Sequence, residues 1–203
     1  MSRNQAIDTL LSELNPVATA GYFIGLHVRF AAPLMTFQTY PASWIKHYTR
    51  NALALRDPMI AWGISRTGAT RWSDIDLPDP FNILHDAAQH GLTYGVCVSC
   101  GEIASRTVAG LARPDREFTD EEIAMISGII LRLHHVSQPP DTLTDAEIQA
   151  LQVLASGERY ANGAAVLGIS QSALKARLTA ARTKLSARTS AEAIQKAKDY
   201  RLI

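Results

Sequence analysis

Two cysteines, Cys97 and Cys100, stand in a C-x-x-C spacing that invites thiol–disulfide chemistry. The run Tyr94-Gly95-Val96-Cys97-Val98-Ser99-Cys100 reads as a strand, where a separation of three turns the two side chains to opposite faces. Their Cα atoms would also stand about 10 Å apart, beyond bridging reach. Two small buried residues are the expectation, and two cysteines are too few for a disulfide scaffold or a four-thiolate zinc site. His134 and His135 are adjacent, so on a helix they diverge by about 100° and cannot chelate one metal together. His47, His85 and His90 are scattered along the chain. The sequence holds no Gly-x-Ser-x-Gly elbow and no phosphate-binding loop. No enzyme, no catalytic residue, no metal and no cofactor are expected.

The charges point to a different chemistry. The 203 residues carry 20 Lys and Arg against 19 Asp and Glu, a net charge of +1. Split at Ser137-Gln138-Pro139-Pro140-Asp141, residues 1–142 hold 11 basic and 14 acidic residues, a net of −3, and residues 143–203 hold 9 and 5, a net of +4. A basic segment behind a proline linker suggests a polyanionic partner, usually nucleic acid. In the helix expected after Ser170, residues Leu174, Leu178, Ala181 and Leu185 fall on one apolar stripe. The opposite face carries Ser172, Lys175, Ala176, Thr179, Arg182 and Thr183, and no acid lies between residues 171 and 191. A solvated helix mixes both signs, because opposite charges four residues apart support it. A helix that enters a phosphate-lined groove excludes acids, so DNA contact is favoured over a plain basic surface.

These residues need elements to hold them. The chain is 47% hydrophobic and 19% charged, an ordinary globular composition. No apolar run approaches the roughly 20 residues needed to cross a bilayer. The start, MSRNQAIDTLLSELNP, lacks a basic-then-apolar signal pattern, so a cytoplasmic protein without a membrane partner is expected. Residues 5–14 have helical period, 20–30 and 35–38 look like strands, and 43–55 reads as a helix interrupted at Asp57-Pro58. Asp79 with Pro80 predicts a helix over 80–90, stopped by Gly91. Strands are expected near 93–100 and 105–112. Thr119-Asp120-Glu121-Glu122 is a capping box for a helix to about residue 135. This order suits an α+β fold, an antiparallel sheet between helices in an α/β/α sandwich. The tail differs: Thr144 with Glu147, Ser170, and Thr189 with Glu192 cap helices in a run of four, with stops at Gly157 and Gly168. That is the pattern of an all-α four-helix helix-turn-helix domain. The expected organisation is a domain over 1–136, a linker over 137–142 and a second domain over 143–203.

The tail resembles the DNA-binding domain of LuxR-type transcription regulators. The residues that carry this are Leu143-Thr144-Asp145-Ala146-Glu147, Leu151, Leu154, Ala155, Gly157, Ala164, Leu167-Gly168-Ile169-Ser170, Ala173-Leu174-Lys175, Leu178, Ala181, Lys184-Leu185, Ala187-Arg188, Ala191-Glu192-Ala193 and Leu202-Ile203. The resemblance puts the third helix in the major groove of double-stranded DNA. It implies base-edge positions for Lys175, Ala176 and Thr179, and phosphate contacts for Arg177, Arg182, Lys184 and Arg188. Gly163 stands where the family usually has a bulky aliphatic, which predicts lost core contact.

The first part is similar to the ligand-binding domain of the quorum-sensing members of that family. The matching residues are Tyr40-Pro41-Ala42-Ser43-Trp44, Tyr48, Asp57-Pro58, Trp72-Ser73-Asp74 and the run Ala87 to Gly95. The resemblance implies an N-acyl-homoserine lactone as ligand. Trp44 would donate its indole N–H to the lactone carbonyl, Asp57 would accept the amide N–H, Tyr40 would donate to the acyl carbonyl, and Trp72 would pack beside the ring, with Tyr48 also in the site. Cys97 is expected at a pocket-facing position often held by Thr, and Ala112 where the family often has Ser or Thr. The chemistry is coherent: an apolar pocket needs one acceptor and a few neutral donors so that no buried polar group of such a ligand goes unpaired. Asp supplies the acceptor; Trp and Tyr supply donors and apolar walls. Ligand burial would complete the core and favour a homodimer on a near-palindromic operator. Ala193, Ile194, Ala197 and residues 200–203 would supply part of the dimer contact. The alternatives are a solo LuxR-type regulator that is ligand-independent or binds another small molecule, and a heterodimerising regulator that sequesters a partner.

Overall fold

A computed structural model describes residues 3–28, 32–138, 143–200 and 202–203. Residues 29–30 of the expected strand over 20–30 and residues 139–142 of the expected linker lie outside the described residues. The chain divides into two units, Met1–Gln138 and Pro139–Ile203.

In the first unit the elements run α1 (Arg3–Leu14), β1 (Gly21–Val28), β2 (Met35–Gln38), α2 (Ala42–Arg50), α3 (Pro58–Ser65), β3 (Gly68–Arg71), α4 (Ile83–Gln89), β4 (Tyr94–Cys100), β5 (Arg106–Arg113) and α5 (Asp120–Ser137). The strands form one antiparallel sheet in the order β2-β1-β5-β4-β3. The fold is therefore mixed α+β with a five-stranded antiparallel sheet.

The period of two sorts the strands into two faces. Tyr22 and Val96 both pair with Leu111, and Ile24 and Val98 both pair with Ala109, so these residues make one continuous apolar face. That face packs on Ile7, Leu10 and Leu14 of α1 and on Ile126, Ile129, Ile130 and Leu133 of α5. The alternate residues, Phe23, Cys97, Val108 and Ala112, join a second cluster with side chains from α2, α3 and α4. The C-x-x-C pair obeys the same rule: Cys97 belongs to the second cluster and Cys100 packs against the first, both as free thiols.

Three local expectations are corrected. The helix expected over 43–55 ends at Arg50; Ala52 takes a left-handed φ of +48° and a 3-10 turn follows at Leu53–Leu55. Asp57-Pro58 starts a helix as well as interrupting one: Asp57 is the N-cap and Pro58 the first residue of α3, which the apolar run after it had not announced. The helix expected from residue 80 begins at Ile83, because Asn82 adopts φ +54° and the Asp79 carboxylate reaches forward to accept from the N–H groups of Ile83 and Leu84, both at 2.9 Å.

The second unit contains α6 (Asp145–Ala155), α7 (Tyr160–Val166), α8 (Gln171–Lys184) and α9 (Ser190–Asp199). Thr144 and Glu147 close a capping box on α6, and Ser170 and Thr189 accept from backbone N–H groups three residues on. The stripe Leu174, Leu178, Ala181 and Leu185 is buried with Leu151, Ala193 and Ala197. Gly163 leaves no hole: a Cβ there would meet Val153 at 3.2 Å and Leu174 at 3.4 Å, so those side chains already fill the space. The loss of contact expected at this glycine is thus compensated by its neighbours.

Candidate functional site

On the second face of the sheet an apolar cavity of about 360 Å³ opens between β1, β2 and helices α2 to α4. Its polar walls are Tyr40, Trp44, Tyr48, Asp57 and Trp72, five of the residues singled out from sequence. Phe23, Met59, Ile60, Ile83, Leu84 and Ala87 supply apolar wall, and Gln38 and Thr49 add two further polar side chains. The Asp57-Pro58 pair was the signal that could have found Met59 and Ile60, since an Asp N-cap followed by Pro also opens an α-helix.

The sequence builds this wall by small residues under large ones. Gly95 in β4 has no side chain, and a Cβ there would lie 2.0 Å from the Trp72 ring, so the indole rests on the sheet at that point. Gly110 in β5 plays the same part for Met59 and Tyr40, whose atoms lie 2.9 and 3.1 Å from where its Cβ would be. Substituting either forces a cavity-lining side chain to move.

Asp57 is the one carboxylate in the lining and is 5% exposed. Its Oδ1 accepts the backbone N–H of Met59 at 2.8 Å and its Oδ2 accepts the Tyr48 hydroxyl at 2.7 Å. Burial pushes its carboxyl above the ordinary aspartate range, although both hydrogen bonds pull the other way. The Tyr48 hydroxyl is pushed up by burial and by the facing carboxylate. Each carboxylate oxygen retains a lone pair, so Asp57 can accept a further donor. The lining holds no Lys, Arg or His, so nothing in it would neutralise an anionic ligand.

Other expected residues stand differently. Tyr40 donates its hydroxyl to the carbonyl of Gly110 at 2.7 Å, so the donor assigned to an acyl carbonyl is held by main chain here. Cys97 and Ala112 are fully buried in the surrounding cluster but do not line the cavity. The Cys97 thiol is covered by α3, with its Sγ 3.6 Å from the Met59 carbonyl, and burial pushes its pKa upward. Ala112 pairs with Gly95, the residue on which Trp72 rests. The Trp72 Nε1 is buried with no hydrogen-bond partner among the described residues. Arg71, the charge beside Trp72, donates to the Phe118 carbonyl at 2.9 Å and to Asp120 at 2.6 Å.

In α8, Ser172, Lys175, Ala176, Thr179 and Thr183 are exposed on one face. The Lys175 Nζ lies 6.0 Å from the ring centre of Tyr160. Arg177 is half-buried and Arg188 exposed. Two of the expected phosphate contacts are engaged within the unit: Arg182 donates to the Arg188 carbonyl at 2.6 Å, and Lys184 pairs with Glu147 at 2.9 Å. Both tie the end of α8 to its surroundings. Ala193 and Ala197, expected in a dimer contact, are fully buried in the unit's own core, whereas Ile194, Tyr200, Leu202 and Ile203 are only partly covered. Arg201 lies outside the described residues.

Comparison with known proteins identifies the family of the first unit. The family profile of the autoinducer binding domain matches residues 20–138, more than half of the chain. The chain belongs to the autoinducer-binding domain family. That description implies a small-molecule ligand for the autoinducer-binding unit. The transcriptional activator protein SolR of Ralstonia nicotianae is 25% identical over 127 residues, covering 61% of this chain and 54% of SolR. The chain thus spans about half the length of that relative. The transcriptional activator protein CarR of Pectobacterium carotovorum subsp. carotovorum is 24% identical over 194 residues, covering 80% of this chain and 78% of CarR. A structure of SdiA in complex with octanoyl-rac-glycerol superposes with a TM-score of 0.55 at 18% identity, over 96% of this chain and 88% of that one. A crystal structure of Escherichia coli SdiA gives 0.55 at 19% identity, over 97% and 92%. These structures share the fold of the autoinducer-binding domain. Among the described residues no helix is long and apolar enough to cross a membrane, and no group of three His, Cys, Asp or Glu could hold a metal.

Proposed function

We propose that this chain is a LuxR-type transcription regulator whose autoinducer-binding domain takes an N-acyl-homoserine lactone. Residues 1–136 would be the sensor, 137–142 the linker and 143–203 a helix-turn-helix domain that binds DNA. The observation that carries the reading is Asp57: a buried carboxylate on an apolar cavity whose lining has no cation. A buried acceptor without a matching charge favours a neutral ligand with one N–H to give. In this reading Asp57 accepts the amide N–H, Trp44 donates to the lactone carbonyl, and the acyl chain fills the space beside Phe23, Ile60 and Leu84. Tyr48 orients the carboxylate.

The tail reading rests on the acid-free exposed face of α8. Lys175, Ala176 and Thr179 read base edges, while Arg177 and Arg188 meet phosphates; Arg182 and Lys184, tied within the unit, take structural roles. Ligand burial stabilises the folded sensor by mass action and promotes a cytoplasmic homodimer on a near-palindromic operator.

Thermal melting with a panel of acyl-homoserine lactones tests the sensor. A ligand present at a hundredfold excess over its Kd should add about 2.7 kcal/mol and raise the melting temperature. Unchanged melting together with unchanged operator affinity overturns the sensing half. Lys175→Ala should abolish the specific complex in a mobility-shift assay; an indifferent variant overturns the DNA half.

One observation favours a second reading of the ligand. The Tyr40 hydroxyl is held by the Gly110 carbonyl, so what the site chiefly offers a head group is the acceptor Asp57. A neutral acylglycerol, of the kind that the SdiA structure holds, would give Asp57 a hydroxyl in place of an amide N–H. Octanoyl-glycerol in the same melting panel separates the two.

A further inference from the structure

Two side-chain ties join α2 to α4 beside the cavity. His47 Nε2 lies 3.3 Å from Asp86 Oδ2, and His90 Nδ1 lies 3.0 Å from Ser43 Oγ. Ser43 and His47 are four residues apart on α2; Asp86 lies in the first turn of α4 and His90, four residues on, is its C-cap. Each pair therefore shares one helix face, and the two ties connect the helices in opposite directions. Both helices are cavity walls: α2 supplies Trp44 and Tyr48, and α4 supplies Ile83, Leu84 and Ala87.

The same two imidazoles hold the Trp44 ring. Its centre lies 5.8 Å from that of His47, stacked at 25°, and 5.6 Å from that of His90, tilted at 52°. The imidazoles are 5.5 Å from each other. Trp44 is 4% exposed and also lines the cavity, so its ring is bounded by the ligand space, by the Tyr48 ring at 5.3 Å and by two histidines that are themselves tied to Asp86 and Ser43. An indole has one N–H, and its hydrogen bond weakens steeply once the donor angle falls toward 120°. Rotation of the ring is what the flanking imidazoles restrict.

We propose that His47 and His90 are positioning residues that fix the Trp44 indole for hydrogen bonding to the ring carbonyl of the ligand, a role that rests on the lactone reading above. They touch no ligand themselves. They set the orientation of the group that does, and so set the preference for a ring that carries a carbonyl.

The test compares an acyl-homoserine lactone with the matched N-acyl cyclopentylamine, which keeps the amide, the tail and the ring size but lacks the ring carbonyl. Affinities are measured by calorimetry on the full chain. The wild type should prefer the lactone about tenfold, and Trp44→Phe should erase that preference. His47→Ala with His90→Ala should reduce it about fivefold while leaving cyclopentylamine affinity nearly unchanged, and should add nothing in the Trp44→Phe background. A merely structural role would weaken both ligands alike and add to Trp44→Phe; that result overturns the proposal. Should the double alanine variant fail to fold, His47→Gln and His90→Gln keep a hydrogen-bonding group toward Asp86 and Ser43 but remove the ring. They should also lower the preference, and an intact preference in both overturns the positioning role. If the wild type binds both ligands without preferring the lactone, the positioning role fails and amide recognition stands. If it binds neither, the lactone reading fails with it.

Discussion

The two faces of the sheet each end at a helix whose first turn is held by an acid, and the two acids are treated in opposite ways. On the α5 face, Glu122 closes a capping box with Thr119 and pairs with Arg113 at 3.0 Å and Arg116 at 2.8 Å. The Arg116 hydrogen bond leads the effects that hold its carboxyl down at about 2. On the cavity face, Asp57 caps α3 but finds no cation in the lining, and burial raises its pKa. One acid is placed where its charge stabilises the fold. The other is placed where its charge costs stability, which is the pattern of a group kept for recognition.

The packing repeats the contrast, and the largest expected effect tests it. Leu111 is fully buried on the α5 face, among the side chains of α1 and α5. Leu111→Ala should lower stability by about 3 kcal/mol, through lost transfer energy and an unfilled void. Chemical denaturation measures the loss. Ligand affinity of the remaining folded protein should hardly change. A large loss of affinity at unchanged fold would break the division of labour between the faces.

Glu122→Gln is the next largest. It removes the charge that Arg113 and Arg116 share, leaving Arg113, whose side chain is only 9% exposed, with Asp115 as its remaining partner. A loss of about 2 kcal/mol is expected at pH 7. The sign follows from the lowered pKa: Glu122 stabilises the fold above its unfolded value of about 4.3, and that contribution fades as pH falls toward about 2. The difference in melting temperature between variant and wild type should therefore shrink across that window. A difference independent of pH would show that shape, not charge, matters at this position.

Much of this arrangement was legible in the chain itself. Capping boxes at Thr119 and Thr144 and the stripe Leu174 to Leu185 announce helices because their signals are local. The opposite faces of Cys97 and Cys100 follow from strand period alone. The cavity walls were legible only in part. Asp57-Pro58 reads equally as a stop and as a start, and the difference lies in how Pro58 to Ser65 pack on β4 and β5, which no local pattern records. Cys97 and Ala112 stand in the cluster around the cavity and outside its lining for a related reason: facing the right side of a sheet does not decide whether other side chains cover a residue. The Tyr40 bond to Gly110 and the Lys184 bond to Glu147 span 70 and 37 residues, beyond any periodicity argument.

The smallest expected change is the most telling, because its sign is reversed. Asp57→Asn keeps an oxygen for the Met59 N–H and an amide in place of the second carboxylate oxygen, where the Tyr48 hydroxyl can turn to accept. It removes a buried charge that the cavity does not compensate. At neutral pH the free protein should become more stable by about 1 kcal/mol. Since the folded pKa of Asp57 is raised, the wild-type penalty is absent below the ordinary aspartate pKa and builds as pH rises through the folded value. The gain from Asn should accordingly vanish in acid and level off toward neutrality, as melting curves across pH would show. The same variant should bind a neutral acylated amide at least tenfold more weakly, because a charged acceptor becomes a neutral one. Stability gained and affinity lost in one substitution is the signature of an acid that the fold would do better without. If Asp57→Asn instead destabilises the free chain as Glu122→Gln does, Asp57 is a helix cap like the other, and the contrast between the two faces disappears.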